Sequence, residues 1–479
     1  MIQVFSGTCG SLTPVGCGQD AVNLTGLSIG SSYFVRVYSA GANGSDAIAG
    51  PANPTATAFN IAVTPAGSTV VSSSRMNEVY LQTNLASENM TSDPWEITYG
   101  PDNFLWVTEA KGYRVFRMNP NTGARTTVLD ISSSSTFLSP ADTSFNMRYE
   151  IGINNPQGGL AGLAIHPKFM DATAPQNYVY VAYVYQYNYA LAGNNGTFYT
   201  NRIVRFTYNT VSGKLESPVS LCDTLPGSND HNSQRMIIAP VAGTNYLFYA
   251  QGDMGAGQFS NQYRSQKAQD SASYEGKILR FNLLPDGDAG SLDRWIPNDN
   301  PYNASLGKQS AVWAIGIRNN QTINASGFAP YKDPLFSAYA QSQATVNYIW
   351  KNNPGNGSWP SEGWSGLDLY THPLIPGWKN SLIACSLKWG RLVKMKLNNA
   401  GTSVVRTYGY DTVSYFGGQN RFRDLAISPD GKDLFVVMDR STTSSGPSNA
   451  NPVVPACPGC VQKYTFLGYA DAAGKSSIR

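Results

Sequence analysis

From Trp95 onward one unit recurs: an apolar strand, a Pro-Asp-Gly or similar turn, an aromatic-rich strand, then a basic-apolar strand ending in another turn. No other feature constrains the fold as much, because each unit is a small sheet that cannot bury both of its faces alone. The first copy is Trp95-Glu-Ile-Thr-Tyr-Gly-Pro-Asp-Asn-Phe-Leu-Trp-Val-Thr108 with Tyr113-Arg-Val-Phe-Arg-Met118. Others run over residues 163–167 with 178–183 and 203–206, 236–240 with 246–249 and 278–281, 381–384 with 392–395, and 425–431 with 434–437 and 461–464. Radial packing of such sheets supplies a core and protects their edges, so the sequence predicts an all-β chain whose residues 78–469 form a β-propeller with about five visible blades. The early strand Glu78-Val-Tyr-Leu-Gln82 is placed to pair with the last sheet and close the ring.

Composition agrees: charged residues make up 14% and aromatics 12%, a balance that suits short strands and turns rather than long helices. Thirty-four basic against 31 acidic residues, with no basic run, exclude a phosphate-following surface, so no nucleic-acid partner is expected. No stretch of 18 apolar residues is present, so no membrane span is expected either. The start Met1-Ile2-Gln3-Val4-Phe5 lacks the regions of a signal peptide and enters a strand at once, which suggests a fragment of a longer exported chain.

Within residues 1–62, a Gly-bearing turn from Leu24 feeds the alternating strand Tyr33-Phe-Val-Arg-Val-Tyr38, which resembles the end of a fibronectin type III-like sandwich. Such sandwiches need ~100 residues, so this one is partial and reads as a spacer without chemistry. Residues 63–77, rich in Ser, Gly and Thr, read as a linker, and 470–479 as a tail or second linker. Cys9 and Cys17 flank a short Gly/Pro loop and Cys457-Pro-Gly-Cys460 is a tight pair; both read as disulfides of a secreted, periplasmic or cell-surface protein. Cys222 and Cys385 stand in apolar runs and read as buried small hydrophobes.

Three histidines occur. His166 belongs to a repeated strand-turn pattern and His372 to a loop, so both read as structural. His231 lies in Ser228-Asn-Asp-His-Asn-Ser-Gln-Arg235, a polar run just before an inner strand, where Asp230 could hold the imidazole and raise its basicity. Gln157, Arg318, Asn319, Lys388, Arg421 and Arg423 stand at comparable places in other blades. Together they would make a cationic axial pocket for a ligand with several carboxylates. On the other reading, Arg421, Arg423 and Lys388 pair with Asp424 and other acids as a structural network.

The motifs Gly-Pro-Asp-Asn-Phe-Leu-Trp-Val-Thr-Glu, Pro-Gln-Gly-Gly-Leu-Ala-Gly-Leu-Ala-Ile-His-Pro, Asp-His-Asn-Ser-Gln-Arg, Gly-Asp-Met-Gly, Gly-Lys-Ile-Leu-Arg-Phe-Asn-Leu, Ile-Arg-Asn-Asn, Ser-Leu-Lys-Trp-Gly-Arg and Asn-Arg-Phe-Arg-Asp follow one another in this order. From about Leu81 to Phe466 the chain thereby resembles the soluble quinoprotein glucose and aldose sugar dehydrogenases. That resemblance implies a six-bladed propeller that uses pyrroloquinoline quinone (PQQ) with calcium to oxidise the anomeric hydroxyl of a sugar to a lactone, passing electrons to an acceptor the sequence does not name. It makes His231 the base, Asp230 its orienting partner, and Arg318 a stabiliser of charge on the quinone oxygen. Asn319, Lys388, Arg421 and Arg423 match cofactor-holding positions. Gln157, Gln258 and Trp359 match substrate-side positions, with Phe259 as an apolar wall.

One interval departs from the family. Only thirteen residues, Gln321 to Asp333, separate the Arg-Asn motif from Pro334-Leu-Phe-Ser-Ala-Tyr339, where the family holds a further blade and its calcium-binding segment. Four strands with their turns need about 30–40 residues. Either a sheet has been lost, or two segments of a longer sequence are joined here. The second reading is preferred, because a ring lacking one sheet exposes two edges and a wedge of core. No calcium ligand can be named in this sequence. The rival function is a non-catalytic propeller that binds carbohydrate or protein.

Overall fold

The structure, a computed structural model, describes residues 2–8, 10–18, 31–37, 68–72, 78–86, 93–133, 147–148, 157–191, 194–318, 362–405, 413–416, 420–440, 457–470 and 476–478, with isolated positions between them. Two compact units separate: Met1–Ser68 with Ala470–Ser476, and Thr69–Tyr469 with Ser477–Arg479. In the first, β1 (Ile2–Thr8) pairs antiparallel with both β2 (Ser11–Gly18) and β3 (Tyr33–Val37).

The remaining strands are β4 (Ser68–Ser72), β5 (Glu78–Ala86), β6 (Pro94–Tyr99), β7 (Leu105–Glu109), β8 (Arg114–Met118), β9 (Arg125–Asp130), β10 (Met147–Arg148), β11 (Leu160–Ile165), β12 (Tyr178–Leu191), β13 (Asn194–Asn209), β14 (Lys214–Pro226), β15 (Ser233–Val241), β16 (Thr244–Gln251), β17 (Lys277–Asn282), β18 (Val312–Ile315), β19 (Trp364–Tyr370), β20 (Ser381–Ser386), β21 (Arg391–Lys396), β22 (Val413–Tyr415), β23 (Phe422–Ile427), β24 (Asp433–Met438), β25 (Val461–Ala470) and β26 (Ser476–Ile478). They form five sheets, each built on the repeated unit. Three are the simple runs β6 to β9, β15 to β18 and β19 to β22. A fourth joins β11 and β10 to β12, β13 and β14, and the last has the order β23-β24-β25-β5-β4 with β26 on β25. The expected pairing is present: β5 pairs antiparallel with β25, Leu81 opposite Thr465 and Gln82 opposite Tyr464.

The core lies between sheets rather than within one. Trp106, Tyr113 and Val115 of the first sheet interleave with Leu163, Val181 and Tyr183 of the next, and Ile97 and Val107 meet Phe435 and Val437 of the last. Tyr180 and Ile203 likewise meet Leu247, Tyr249 and Leu279, while Ile383 and Leu392 meet Leu425 and Leu434. Strands covered on both faces in this way need apolar residues at successive positions, which is why Leu105, Trp106 and Val107 are all fully buried. Two faces differ. The side of the β15–β18 sheet turned away from its described neighbour carries Ile237, Tyr246, Trp313 and Ile317, and that of the β19–β22 sheet carries Trp364 and Leu367; all six are only partly buried. These faces flank the interval 319–361, nearly all of which, including residues 320–334, lies outside the described residues.

Inner strands stand side by side in the order β15, β11, β6, β23, β19. Gly162 permits this on β11, since a Cβ there would lie 2.0 Å from the Gln234 carbonyl oxygen of β15. From β15, the Arg235 Nη1 reaches Asp424 Oδ2 on β23 at 2.6 Å and Glu96 Oε1 on β6 at 3.2 Å. Asp424 is therefore a partner of Arg235, and not of Arg421 or Arg423 as the structural-network reading supposed. Burial opposes the Arg235 charge, but Asp424 and Glu96 outweigh it and hold the guanidinium protonated. Glu96 and Asp424 are themselves pushed up by burial. Asp368, on β19, is raised to about 6, by burial first; the Leu369 amide and Arg235 oppose that shift and Asp424 adds to it.

Arg235→Met should leave two buried carboxylates uncompensated and cost about 3–5 kcal/mol, read as a drop in denaturation midpoint at pH 7. Asp368→Asn should act the other way. A carboxyl whose folded pKa is raised makes the fold lose stability as pH climbs from the unfolded value near 4 through about 6. The variant should thus match wild type near pH 3.5 and melt higher than wild type above pH 6.

Candidate active site

In four sheets the first strand begins where the second ends: Pro94 faces Glu109, Ser233 faces Gln251, Trp364 faces Ser386 and Phe422 faces Met438; in the other, the start of β11 at Leu160 faces Tyr183, and β12 runs on to Leu191. Residues just before a first strand or just after a second therefore gather at one end of the propeller. Gln157, His231 and Arg421 are of the first kind; Lys111, Asp253, Lys388 and Asp439 are of the second. Arg318 follows β18 at the same end, because Ile315 pairs with Lys277, which faces Gln251.

The backbone around His231 is unusual. His231, Ser233 and Gln234 all have positive φ, 50°, 61° and 71°. For residues with side chains this costs roughly 1–3 kcal/mol each and persists only where the surroundings enforce it. Gly252 is part of that enforcement: a Cβ there would sit 1.6 Å from the His231 carbonyl oxygen. The loop is also tied by Asn232, whose side-chain amide donates to the carbonyls of Gln157 and Ser228, both at 2.7 Å.

The imidazole is buried and held at both nitrogens. Nδ1 lies 2.7 Å from Asp253 Oδ1, and Nε2 lies 2.8 Å from the Gln258 side-chain nitrogen. The same amide nitrogen donates to Asp230 Oδ2 at 2.7 Å, while Gln258 Oε1 accepts from Arg318 Nη2 at 2.6 Å. An amide nitrogen can only donate, so Nε2 accepts and the ring proton stays on Nδ1, facing the Asp253 carboxylate. The ring thus presents its basic lone pair at Nε2, toward Gln258.

Asp230 does not do what was expected of it. Its Oδ1 lies 4.0 Å from His231 Nε2 and instead accepts from the His231 backbone amide. The orienting carboxylate is Asp253, in the Gly252-Asp-Met-Gly255 motif, and Gly255 donates its amide to the same Oδ1 at 3.0 Å. Both Asp230 carboxylate oxygens are engaged elsewhere, Oδ1 by the His231 backbone amide and Oδ2 by the Gln258 side-chain amide.

Farther round the same end, Arg421 and Arg423 both contact Asp439. The Arg423 guanidinium also lies over the Trp95 ring, 4.0 Å from its centroid. Burial pushes Arg421 down. Next comes Lys111, whose Nζ donates to the Gly158 carbonyl at 2.8 Å. Lys388 follows β20, half-buried, with its amide on the Glu362 carbonyl at 3.0 Å. Cations thus stand around this end from the β20 turn to Arg318, interspersed with the carboxylates Asp93, Asp230, Asp253, Glu362 and Asp439.

The family model for glucose / sorbosone dehydrogenase matches residues 91–330. The chain belongs to this family. Among relatives, quinoprotein glucose dehydrogenase B of Acinetobacter calcoaceticus is 27% identical over 466 residues, covering 78% of this chain and 88% of that one. Aldose sugar dehydrogenase YliI of Escherichia coli is 26% identical over 240 residues, 42% of this chain and 56% of the relative. The PQQ-bound structure of an aldose sugar dehydrogenase from Streptomyces coelicolor shares the fold, with a TM-score of 0.51 at 19% identity over 84% of this chain and all of that one.

In this member of the glucose / sorbosone dehydrogenase family, His231, Gln258, Arg318 and Asp230 form one hydrogen-bonded group, joined through Asn232 to the Gln157 carbonyl. Asn319 and Trp359 lie outside the described residues, as does the Phe259 side chain. Cys457 and Cys460 are joined in a disulfide as expected, whereas Cys17 is a free, exposed cysteine and not half of the expected bridge to Cys9, which itself lies outside the described residues. Cys222 and Cys385 are buried in the apolar clusters. His166 and His372 each accept a backbone amide at Nδ1, from Lys168 and Leu374. Sequence reasoning assigned no role to Asp253, Lys111 or Asp439. The signal for Asp253 was an acid between two glycines directly after an apolar strand; nothing comparable marks the other two.

Asp253→Asn should place an amide NH2 or a poorer acceptor against Nδ1 and release the tautomer. Imidazole 15N shifts should show one fixed neutral tautomer in wild type and a mixture in the variant.

Proposed function

We propose that the chain is a PQQ-dependent sugar dehydrogenase that oxidises the anomeric hydroxyl of an aldose to a lactone, with His231 as the base. The observation that carries this reading is the pair of contacts on the imidazole, Asp253 at Nδ1 and a hydrogen-bond donor at Nε2. A sugar hydroxyl that replaces the Gln258 amide at Nε2 would give its proton to that lone pair. Asp253 would stabilise the imidazolium that results, a charge-assisted contact worth about 1.5–3 kcal/mol. Gln258, still held by Arg318 and Asp230, would then lie beside the incoming hydroxyl, orient it and exclude water from it.

The donor set fits the cofactor's chemistry. A planar tricarboxylate needs several cations around one face, and Lys111, Lys388, Arg421, Arg423 and Arg318 all stand at this end of the propeller. PQQ, when bound, supplies the two-electron acceptor for the anomeric hydrogen. Asn319 is proposed as a further cofactor contact, Arg318 as the group that faces the quinone oxygen, and Gln157, Phe259 and Trp359 as the sugar side. Among the described residues no group of three or more His, Cys, Asp or Glu side chains is arranged to hold a metal ion, so no step is assigned to calcium.

Among the described residues no helix is long and apolar enough to cross a membrane. The Cys457–Cys460 disulfide supports an exported protein. Residues 1–62 would then be a fibronectin type III-like spacer.

Reconstitution tests the proposal. With PQQ, calcium, an aldose and an artificial acceptor dye, wild type should reduce the dye, and His231→Ala should lose about 10²–10⁴ of that rate. Absence of dye reduction with every aldose at saturating cofactor would overturn it and favour a non-catalytic carbohydrate- or protein-binding propeller.

A further inference from the structure

The connection from β16 to β17, residues 252–276, leaves and returns at neighbouring points, because Gln251 pairs with Lys277. Its only regular element is the helical turn Phe259–Asn261. Yet it carries both groups that touch the imidazole, Asp253 at Nδ1 and Gln258 at Nε2. A connection this long, with so little structure of its own, needs something else to fix its path.

Lys277, the first residue of β17, supplies it. The residue is fully buried, and its Nζ donates to the carbonyls of Lys267 at 2.8 Å, Ala268 at 3.0 Å and Glu275 at 2.6 Å. An ammonium has three N–H groups, so each has an acceptor, and all three acceptors belong to this connection. A lysine kept only for packing lays its stem along apolar surface and lifts the ammonium into water. Here backbone carbonyls replace that water. The charge draws the outgoing limb at 267–268 and the returning limb at 275 to one point, as a metal ion bound by carbonyl oxygens does. Burial lowers the Lys277 pKa to about 8, and Glu275 and Asp270 oppose the shift.

The junction reaches the rest of the site. The Ala268 carbonyl also accepts the Gly316 amide at 2.8 Å, the Gly276 carbonyl accepts the Ile317 amide at 3.0 Å, and the Arg318 carbonyl accepts the Asp253 amide at 2.7 Å. Gly276 leaves room for this crossing: its φ is 70°, and a Cβ there would lie 2.5 Å from the Ile317 carbonyl oxygen. Arg318 in turn holds Gln258 Oε1. Asp253, Gln258 and Arg318 are thus all borne by segments that meet at this ammonium.

We propose that Lys277 is a positioning residue of the His231 site, a tethered cation that fixes the 252–276 connection so that Asp253 and Gln258 meet the two imidazole nitrogens. It touches no reacting atom. Its effect on turnover rests on the quinone-dependent reading above, whereas its effect on the geometry does not.

Lys277→Ala removes three carbons and the ammonium, and n-propylammonium is the missing piece. In apoprotein, the 15N resonances of the His231 imidazole and the Gln258 side-chain amide should leave their wild-type positions in the variant. Added n-propylammonium should return them, and 1-propanol, of the same size but uncharged, should not. With PQQ, calcium, an aldose and dye, the variant should lose about tenfold or more of the wild-type rate and regain it with the amine. Wild-type resonances in untreated Lys277→Ala would overturn the proposal, and so would equal recovery with 1-propanol. If the variant does not fold, judged by its thermal transition, hydrogen exchange of wild type decides. The amides of Asp253, Gly276, Gly316 and Ile317 should then open as one unit, and Asp253 exchanging independently of Gly276 would overturn the proposal. Absence of dye reduction by wild type, with the resonances moving as expected, would overturn the quinone-dependent reading alone.

Discussion

The contacts from Arg235 to Glu96 and Asp424 hold the inner strands of three sheets in one register. A buried guanidinium between two buried carboxylates tolerates little displacement, because each charge left without its counterpart costs several kcal/mol. The end of the propeller inherits that rigidity. His231 stands four residues before Arg235, and Arg423 immediately before Asp424, so both adjoin or lie on strands that the axial charges hold in place. The strained backbone at His231 is tolerable on such a mount, and Gly252 leaves room for it.

Charge is unequally divided along the inner strands. Around Arg235 the acids Glu96, Asp368 and Asp424 predominate, and their carboxyls are raised accordingly. At the other end, Lys111, Arg421 and Arg423 stand among Asp93 and Asp439. The same division explains why the arginines of the site could not be paired with Asp424: that carboxylate is committed to Arg235 and to the Ile97 amide.

The architecture was legible because it repeats. Apolar strands with Pro-Asp-Gly-like turns at regular spacing can only be buried by stacking, and the pairing of Glu78-Val-Tyr-Leu-Gln82 with the last sheet followed from the need to close a ring. His231 was legible as an isolated histidine in a polar run before an inner strand. Its carboxylate partner was misread, since adjacency in sequence favoured Asp230 while the fold brings Asp253 across from the next strand. That pairing depends on the β15–β16 register and on positive φ values that side-chain chemistry does not announce. Lys111 was hidden for a different reason: nothing in a Glu-Ala-Lys-Gly turn indicates that the amine will be buried against the carbonyl of another sheet.

The closure of the ring also sets an order of events in the life of the molecule. β5 emerges from the ribosome nearly 400 residues before its partner β25, and the sheet they complete carries Arg421, Arg423 and Asp439. His231 and Asp253 are made early, but Arg421 and Arg423 can be set in a finished sheet only after the last strand has been synthesised. Whatever depends on that finished sheet therefore follows completion of the polypeptide, in whichever compartment the finished chain reaches. For a chain of this design, the first-made strand waits for the last without any dedicated timing device.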